Sequence, residues 1–195
     1  MTLPSFHPGL FAGLMLVVLA PFPALWAAGP PAAGDKAPDF ALPALGGATV
    51  SVGGLSVKGP VVLVVLRGWP GYQCPICDRQ VHDYIAATDQ FAEAGAQLVF
   101  VYPGPAEDLK AHAEEFKTWK GREWPAAYHF LLDPDYRFTH AYGLRWDAPN
   151  ETAYPSTFIL DRSGTVRFAK VSRMHGDRTK PMDVLNELKK LAAGR

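Results

Sequence analysis

The stretch PVVLVVLRGWPGYQCPICDRQV, Pro60 to Val81, holds an aliphatic strand, both cysteines of the chain and the start of a helix. Its first third, PVVLVVL, is a continuous β-branched and aliphatic run, the pattern of a central strand covered on both faces. Cys74 and Cys77 follow, separated by Pro75 and Ile76. Beyond them, DRQVHDYIAATDQFAEAG places Val81, Ile85 and Ala92 at helical spacing and stops at Gly95. The cysteine pair therefore sits where a central strand hands over to a helix, a favoured place for sites in open α/β sheets.

The same alternation continues outward. AQLVFVYPG reads as a second buried strand and AEDLKAHAEEFKTWKG as an amphipathic helix ending at Gly121. YHFLLD is a short strand, PDYRFTHAYGL a helix closed by Gly143, and STFILD and TVRFAKV are strands joined by the turn DRSG. PMDVLNELKKLAAG closes the chain as a helix with proline at its start and lysines in its last turn. On the N-terminal side, DFALPALGGATVSVGGL mixes short β-like pieces with glycine turns and predicts a small hairpin. The expected fold class is α/β: a central mixed sheet with helices on both faces, an antiparallel pair at its end and an N-terminal β-hairpin.

At 195 residues, with 48% apolar and 19% charged residues, the chain has the composition of one well-buried domain. Lys+Arg and Asp+Glu both count 19, so no basic field recruits nucleic acid, which is excluded as a partner. Residues 1–34 carry no Asp, Glu, Lys or Arg, and LFAGLMLVVLA (Leu10 to Ala20) is an unbroken apolar run. Pro21, Pro23 and the small-residue segment AAGPPAAG come next, the order of a secretory signal peptide with cleavage near Ala27 to Gly29. The n-region offers only His7 as a basic residue, and residues 10–28 approach the length of a bilayer span, so an uncleaved membrane tether is the alternative. Residues 1–28 are thus expected to be a signal peptide or anchor, 29–34 a linker and 35–195 the domain. The expected location is periplasmic or secreted, or anchored facing out of the cytoplasm, where cysteine pairs can oxidise.

With Cys74 at a helix N-terminus and Cys77 one turn behind, the thiols lie within disulfide reach. Unpaired backbone N–H groups and the helix dipole favour the Cys74 thiolate, and Pro75 suits a position whose N–H needs no partner. Cys74 then reads as the nucleophile and Cys77 as the resolving thiol. A structural zinc site needs four ligands, but no second cysteine pair exists and the six histidines (7, 82, 112, 129, 140, 175) lack the H-x3-5-H spacing. Haem attachment needs histidine where Asp78 stands. No cofactor or resident metal is expected, and a lone pair after a buried strand reads as a redox couple.

Three segments together, VVLVVLRGWPGYQCPICDRQ, LLDPDYRFTHAYGL and AYPSTFILDRSGTVRF, resemble the thioredoxin-like superfamily. Within it they look like the redoxin branch of alkyl hydroperoxide reductase and thiol-specific antioxidant type, over roughly residues 35 to 193. The resemblance implies a thioredoxin fold with the N-terminal hairpin and central insertion common in redoxins. It also implies a third site residue beside Cys74 and Cys77. Pro155, in YPSTFILD, matches the cis-proline that precedes the strand facing the cysteines and lets neighbouring backbone pair with an extended thiol substrate.

Two departures from the peroxiredoxin pattern bear on mechanism. In P-x-x-x-[TS]-x-x-C the proline and hydroxyl positions fall on Arg67 and Gly71, and the usual peroxide-site arginine falls on Pro155. Arg67 and Arg145 are candidates to replace that guanidinium, though both read more readily as surface or loop charges. Trp69 and Tyr72 flank the motif as packing residues within reach of substrate, and His82 falls on the helix behind the thiols. The leading expectation is an exported thiol–disulfide oxidoreductase acting on a protein thiol or disulfide, with an unidentified electron donor or acceptor. The rival is a peroxiredoxin-like thiol peroxidase acting on peroxide. A distant third is a copper-binding chaperone using Met174 and His175, against which C-x2-C replaces the C-x3-C of that branch.

Overall fold

In a computed structural model, which describes Met1 and residues 29–194, the aliphatic run after Pro60 becomes the middle strand of a five-stranded mixed sheet. The signal or anchor segment, with its tether at residues 10–28, lies outside the described residues. Among those described, no helix is long and apolar enough to cross a membrane.

Strands β1 (Ala41–Pro43) and β2 (Thr49–Ser51) pair antiparallel as the N-terminal hairpin. A short helix α1 (Val52–Ser56) follows at once, capped by Ser51, whose hydroxyl accepts from the Gly54 amide. Then come β3 (Val61–Val65), α2 (Pro75–Ala86), α3 (Thr88–Glu93) and β4 (Gln97–Gly104). The second half runs α4 (Leu109–Thr118), β5 (Tyr128–Pro134), α5 (Arg137–Ala141), β6 (Ser156–Leu160), β7 (Val166–Val171) and α6 (Pro181–Ala193). The sheet order is β5-β4-β3-β6-β7, with β3, β4 and β5 parallel and β6 and β7 antiparallel to their neighbours.

All five residues of β3 are fully buried, so alternate side chains feed two cores. Val62 and Val64 face the cysteines, Tyr84 of α2, Phe116 of α4 and Leu185 of α6. Val61, Leu63 and Val65 face Leu55 of α1, Phe138 and Tyr142 around α5, and Phe158 of β6. Helices therefore cover both sheet faces, as the continuous apolar run requires.

Three local readings change. VGGL, taken as a glycine turn, is the body of α1. The single helix expected through Gly95 breaks at Ala87, whose φ of −100° and ψ of 15° leave the helical region. The break shifts the helical phase, so Phe91 rather than Ala92 is buried, its ring stacked on Tyr84 at 5.5 Å. Residues 29–34, read as a linker, lie against the domain: Pro31 is buried, and Gly34 N–H donates to Val166 O at 2.8 Å.

Gly68 directs the motif loop off the sheet. Its φ is +72°, and a Cβ there would collide with the Pro103 carbonyl, which already accepts from Trp69 N–H at 3.0 Å. Gly71, at φ +103°, has open space around it. Gly68→Ala is therefore expected to destabilise by more than about 2 kcal/mol, and Gly71→Ala by roughly 1 kcal/mol from backbone strain alone. Denaturant midpoints of the two variants check the order.

Candidate active site

The loop between β3 and α2 is clamped to α4 before it reaches the cysteines. Trp69 stacks flat on His112, with ring centroids 3.6 Å apart. Gln73 donates to His112 O at 2.9 Å and to Glu115 Oε2 at 3.0 Å, and accepts from Tyr102 O–H at 2.9 Å. Tyr72, by contrast, is 47% exposed.

Cys74 is the N-cap residue of α2, with φ −79° and ψ 112°, and Pro75 occupies the first turn. The Cys74 sulfur takes the role an N-cap oxygen usually plays, accepting from Cys77 N–H at 3.3 Å. Both thiols are free and buried, Cys74 at 2% exposure and Cys77 at zero.

Their acidities split. The hydrogen bond from the Cys77 thiol does most to pull Cys74 down to about 5, against burial and with help from Cys77 N–H, the Arg178 charge and Ile76 N–H. Burial pushes the Cys77 thiol well up, and its contact with Cys74 adds to the rise. At neutral pH the pair is one thiolate held by one thiol.

Arg178, on the connection from β7 to α6, reaches both sulfurs. Its Nη1 lies 3.3 Å from Cys77 Sγ and its Nη2 3.9 Å from Cys74 Sγ. Two acceptors hold the fork in place: His175 O to Nε at 2.7 Å and Gln80 Oε1 to Nη1 at 2.9 Å. Sequence reasoning missed this residue. It stands 101 and 104 positions from the cysteines, and HGDR carries no periodic signal linking it to them.

The two arginines proposed from the sequence do other work. The Arg67 guanidinium is buried and turned away from the sulfurs, donating to Glu151 Oε2 at 2.7 Å, to Tyr72 Oη and to Asn150 O. Only its backbone amide faces Cys77. Arg145 donates to Thr152 O at 2.7 Å and lies over the Tyr136 ring at 4.3 Å, bracing the loop before β6.

Pro155 is buried at the entry to β6, and its peptide bond is trans; no peptide among the described residues is cis. The expected cis bond is thus corrected to trans. Tyr154 N–H donates to Leu144 O and Ser172 N–H donates to Pro155 O, both at 2.9 Å, so the chain enters β6 already extended. Pro155 thus opens a strand, and its carbonyl is occupied by Ser172.

His82 is exposed on α2. Met174 is 64% exposed, and the His175 ring pairs with Glu151 Oε1 at 2.8 Å. No cluster of three His, Cys, Asp or Glu side chains fit to hold a metal occurs among the described residues, so the copper reading gains nothing here. Glu151 instead joins Arg67 to His175 and ties the motif loop, the loop before β6 and the β7–α6 connection around the thiols.

Comparison with known proteins places the chain in a family. Peroxiredoxin Q, chloroplastic, of Triticum aestivum is 27% identical over 170 residues, 84% of this chain and 72% of the relative. The Arabidopsis thaliana peroxiredoxin Q is 27% identical over 134 residues, 69% of this chain and just 56% of the relative's length. Peroxidoxin BcpB from Mycobacterium tuberculosis shares the fold with a TM-score of 0.63 at 22% identity, covering 83% of this chain and 98% of that one. A Chlorobium tepidum protein provisionally described as a thiol:disulfide interchange protein DsbE matches with a TM-score of 0.60 at 25% identity, covering 83% and 98%. The AhpC/TSA family profile matches residues 33–169, which include both cysteines and stop short of Arg178. The chain belongs to the AhpC/TSA family, the redoxin branch of thioredoxin-like proteins, whose chemistry is that of a thiol peroxidase or thiol oxidoreductase.

Proposed function

We propose that the protein is an exported thiol–disulfide oxidoreductase in which Cys74 is the nucleophile and Cys77 the resolving thiol. One observation carries this reading: two thiols touch within a single helical turn, one held as thiolate and the other kept protonated. The Cys74 thiolate attacks a substrate disulfide, one substrate sulfur leaves with the electron pair, and a mixed disulfide forms. Cys77 gives up its proton and attacks the Cys74 sulfur; the second substrate sulfur leaves and takes a proton. Two electrons pass to the substrate and the pair closes as a disulfide. The reverse sequence oxidises a protein dithiol.

Peroxide chemistry needs donors for both oxygens as the O–O bond breaks. The positions that usually supply them hold Gly71 and Pro155. Nearby hydroxyls are spent internally, Thr152 on Arg67 O, Ser156 on Tyr154 O at 2.8 Å, and Thr179 on Thr157 at 2.8 Å and Tyr84 at 2.7 Å.

Two observations favour thiol peroxidase activity as a second reading. Cys74 is 2% exposed, which admits a small oxidant more easily than a folded protein segment. Arg178 also brings one guanidinium to the sulfurs from an unexpected element. In that case the thiolate attacks a peroxide oxygen, an alcohol leaves with a proton, and Cys77 condenses with the sulfenic acid to release water.

Parallel assays on the purified chain separate the readings. Insulin-type disulfide reduction, driven by a dithiol, is expected to proceed readily, with peroxide consumption little faster than by a simple thiol. Rapid Cys74 sulfenic acid formation at micromolar peroxide, without disulfide turnover, would reverse the order. Export rests on the N-terminal sequence; fractionation of cells expressing the full chain tests it, and an intact chain in the cytoplasm would remove it.

A further inference from the structure

Arg178 sits closer to the wrong sulfur for a simple thiolate stabiliser. In the resting pair the charge is on Cys74, yet the guanidinium is 3.9 Å from that sulfur and 3.3 Å from Cys77. Cys74 already has three donors of its own in the amide and thiol of Cys77 and the amide of Ile76. The fork is anchored toward Cys77 by Gln80, one turn of α2 further on, and by the His175 carbonyl. Among the described residues no carboxylate pairs with Arg178, so its charge answers to the two sulfurs alone.

We propose that Arg178 is a counter-ion shared in time between the two sulfurs: it faces the Cys74 thiolate before reaction and the Cys77 thiolate once Cys74 is bound to substrate. This rests on the disulfide-exchange reading. In the mixed disulfide Cys74 is neutral, so its share in keeping Cys77 protonated is lost; burial still opposes ionisation, and the positive charge beside Cys77 stays to offset it. Cys77 then releases its proton to solvent, and its thiolate attacks the Cys74 sulfur. The Cys74–Cys77 bond forms, the bond from Cys74 to the substrate breaks, and the departing thiolate is protonated. Run backward, Cys77 leaves as a thiolate onto Arg178.

The other charged groups around the pair have partners of their own and cannot take this part. Asp78, beside Cys77 on α2, is matched by Lys120 and Arg122. Arg67 and the His175 ring share Glu151, and Glu115 of α4 accepts from Gln73. Tyr102 of β4 is held protonated chiefly by burial, with its hydroxyl on Gln73.

The test uses the full reduced chain and dithiobis(nitrobenzoate), which releases one coloured thiolate when Cys74 attacks and a second when Cys77 resolves. In Arg178→Met the second release is expected to slow at least about tenfold at neutral pH, and its pH midpoint to rise by about one unit or more, with a smaller effect on the first release. Arg178→Lys, which keeps the charge, should recover most of the second rate. If Arg178→Met does not fold, Cys74→Ser decides. Followed by thiolate ultraviolet absorbance, Cys77 should ionise at lower pH in Cys74→Ser than in the wild type. An unchanged second release in Arg178→Met, or a Cys77 that ionises no more easily in Cys74→Ser, overturns the proposal. Neither release needs a protein substrate, so absent insulin reduction with normal releases would remove the exchange reading and leave the role of Arg178 to these rates.

Discussion

Cys74→Ser is expected to abolish disulfide reduction, a loss of at least about a thousandfold, because only a thiolate can attack and then be displaced in exchange. Cys77→Ser should instead take up one equivalent of substrate and hold it as a mixed disulfide. The asymmetry follows from the split pair, Cys74 brought down to about 5 and Cys77 pushed up by burial. A thiol with a lowered value is ionised above it, so alkylation of Cys74 should hold steady from neutral pH downward and be lost as the pH falls through about 5. By simple titration the rate at pH 4 is about one-tenth of that at pH 7. The plateau is not an unusually fast one. An ordinary thiol is roughly 3% ionised at pH 7, so Cys74 gains about thirtyfold in thiolate, and its lower basicity cancels most of that gain. What the site gains is selectivity between its two sulfurs and a better leaving group. Peptide mass spectrometry after brief alkylation reads this directly, and Cys77 labelling first would reverse the roles.

How much of this was legible depended on how far apart in the chain the partners lie. β3, the handover to α2 and the N-cap place of Cys74 were readable because each rests on local signals: an unbroken aliphatic run, Pro75, and apolar residues at helical spacing. The antiparallel β6–β7 pair was readable from its turn, where Asp161 and Ser163 bond at the loop. Ala87 was harder, since nothing in its own chemistry breaks a helix, and the stacking of Phe91 on Tyr84 that accompanies the break is a contact no local pattern marks. The site arginine was out of reach. Arg67 stands next to the motif in sequence, but its guanidinium leaves the thiols for Glu151, and no local pattern marks that carboxylate as its partner. Arg178 arrives from a connection whose path is set by β7 and α6 together. Pro155 shows the opposite hazard, because a position carried over from a family stands here with a trans bond and with its carbonyl already paired to Ser172.

The reduction potential of the pair should carry the same asymmetry in a quantity that needs no substrate. Reduction consumes two electrons and, where both products stay protonated, two protons. With Cys74 ionised above about pH 5 and Cys77 still protonated, only one proton is taken up. The potential should therefore fall by about 30 mV per pH unit from about pH 5 to pH 8, and by about 60 mV per unit below that range. The sign of the offset follows as well. The disulfide has no thiol to ionise, so stabilising the Cys74 thiolate favours the reduced form and makes the couple more oxidising. At pH 7 a value of about 5 adds two decades of stabilisation over an ordinary thiol, close to 60 mV, or about 2.7 kcal/mol. Equilibration against dithiol and glutathione buffers at several pH values, with thiol trapping to count the reduced fraction, measures both slope and offset. A slope near 60 mV per unit through neutrality would mean that neither sulfur is ionised, and the hydrogen bonds drawn to Cys74 would then be holding a thiol rather than a thiolate.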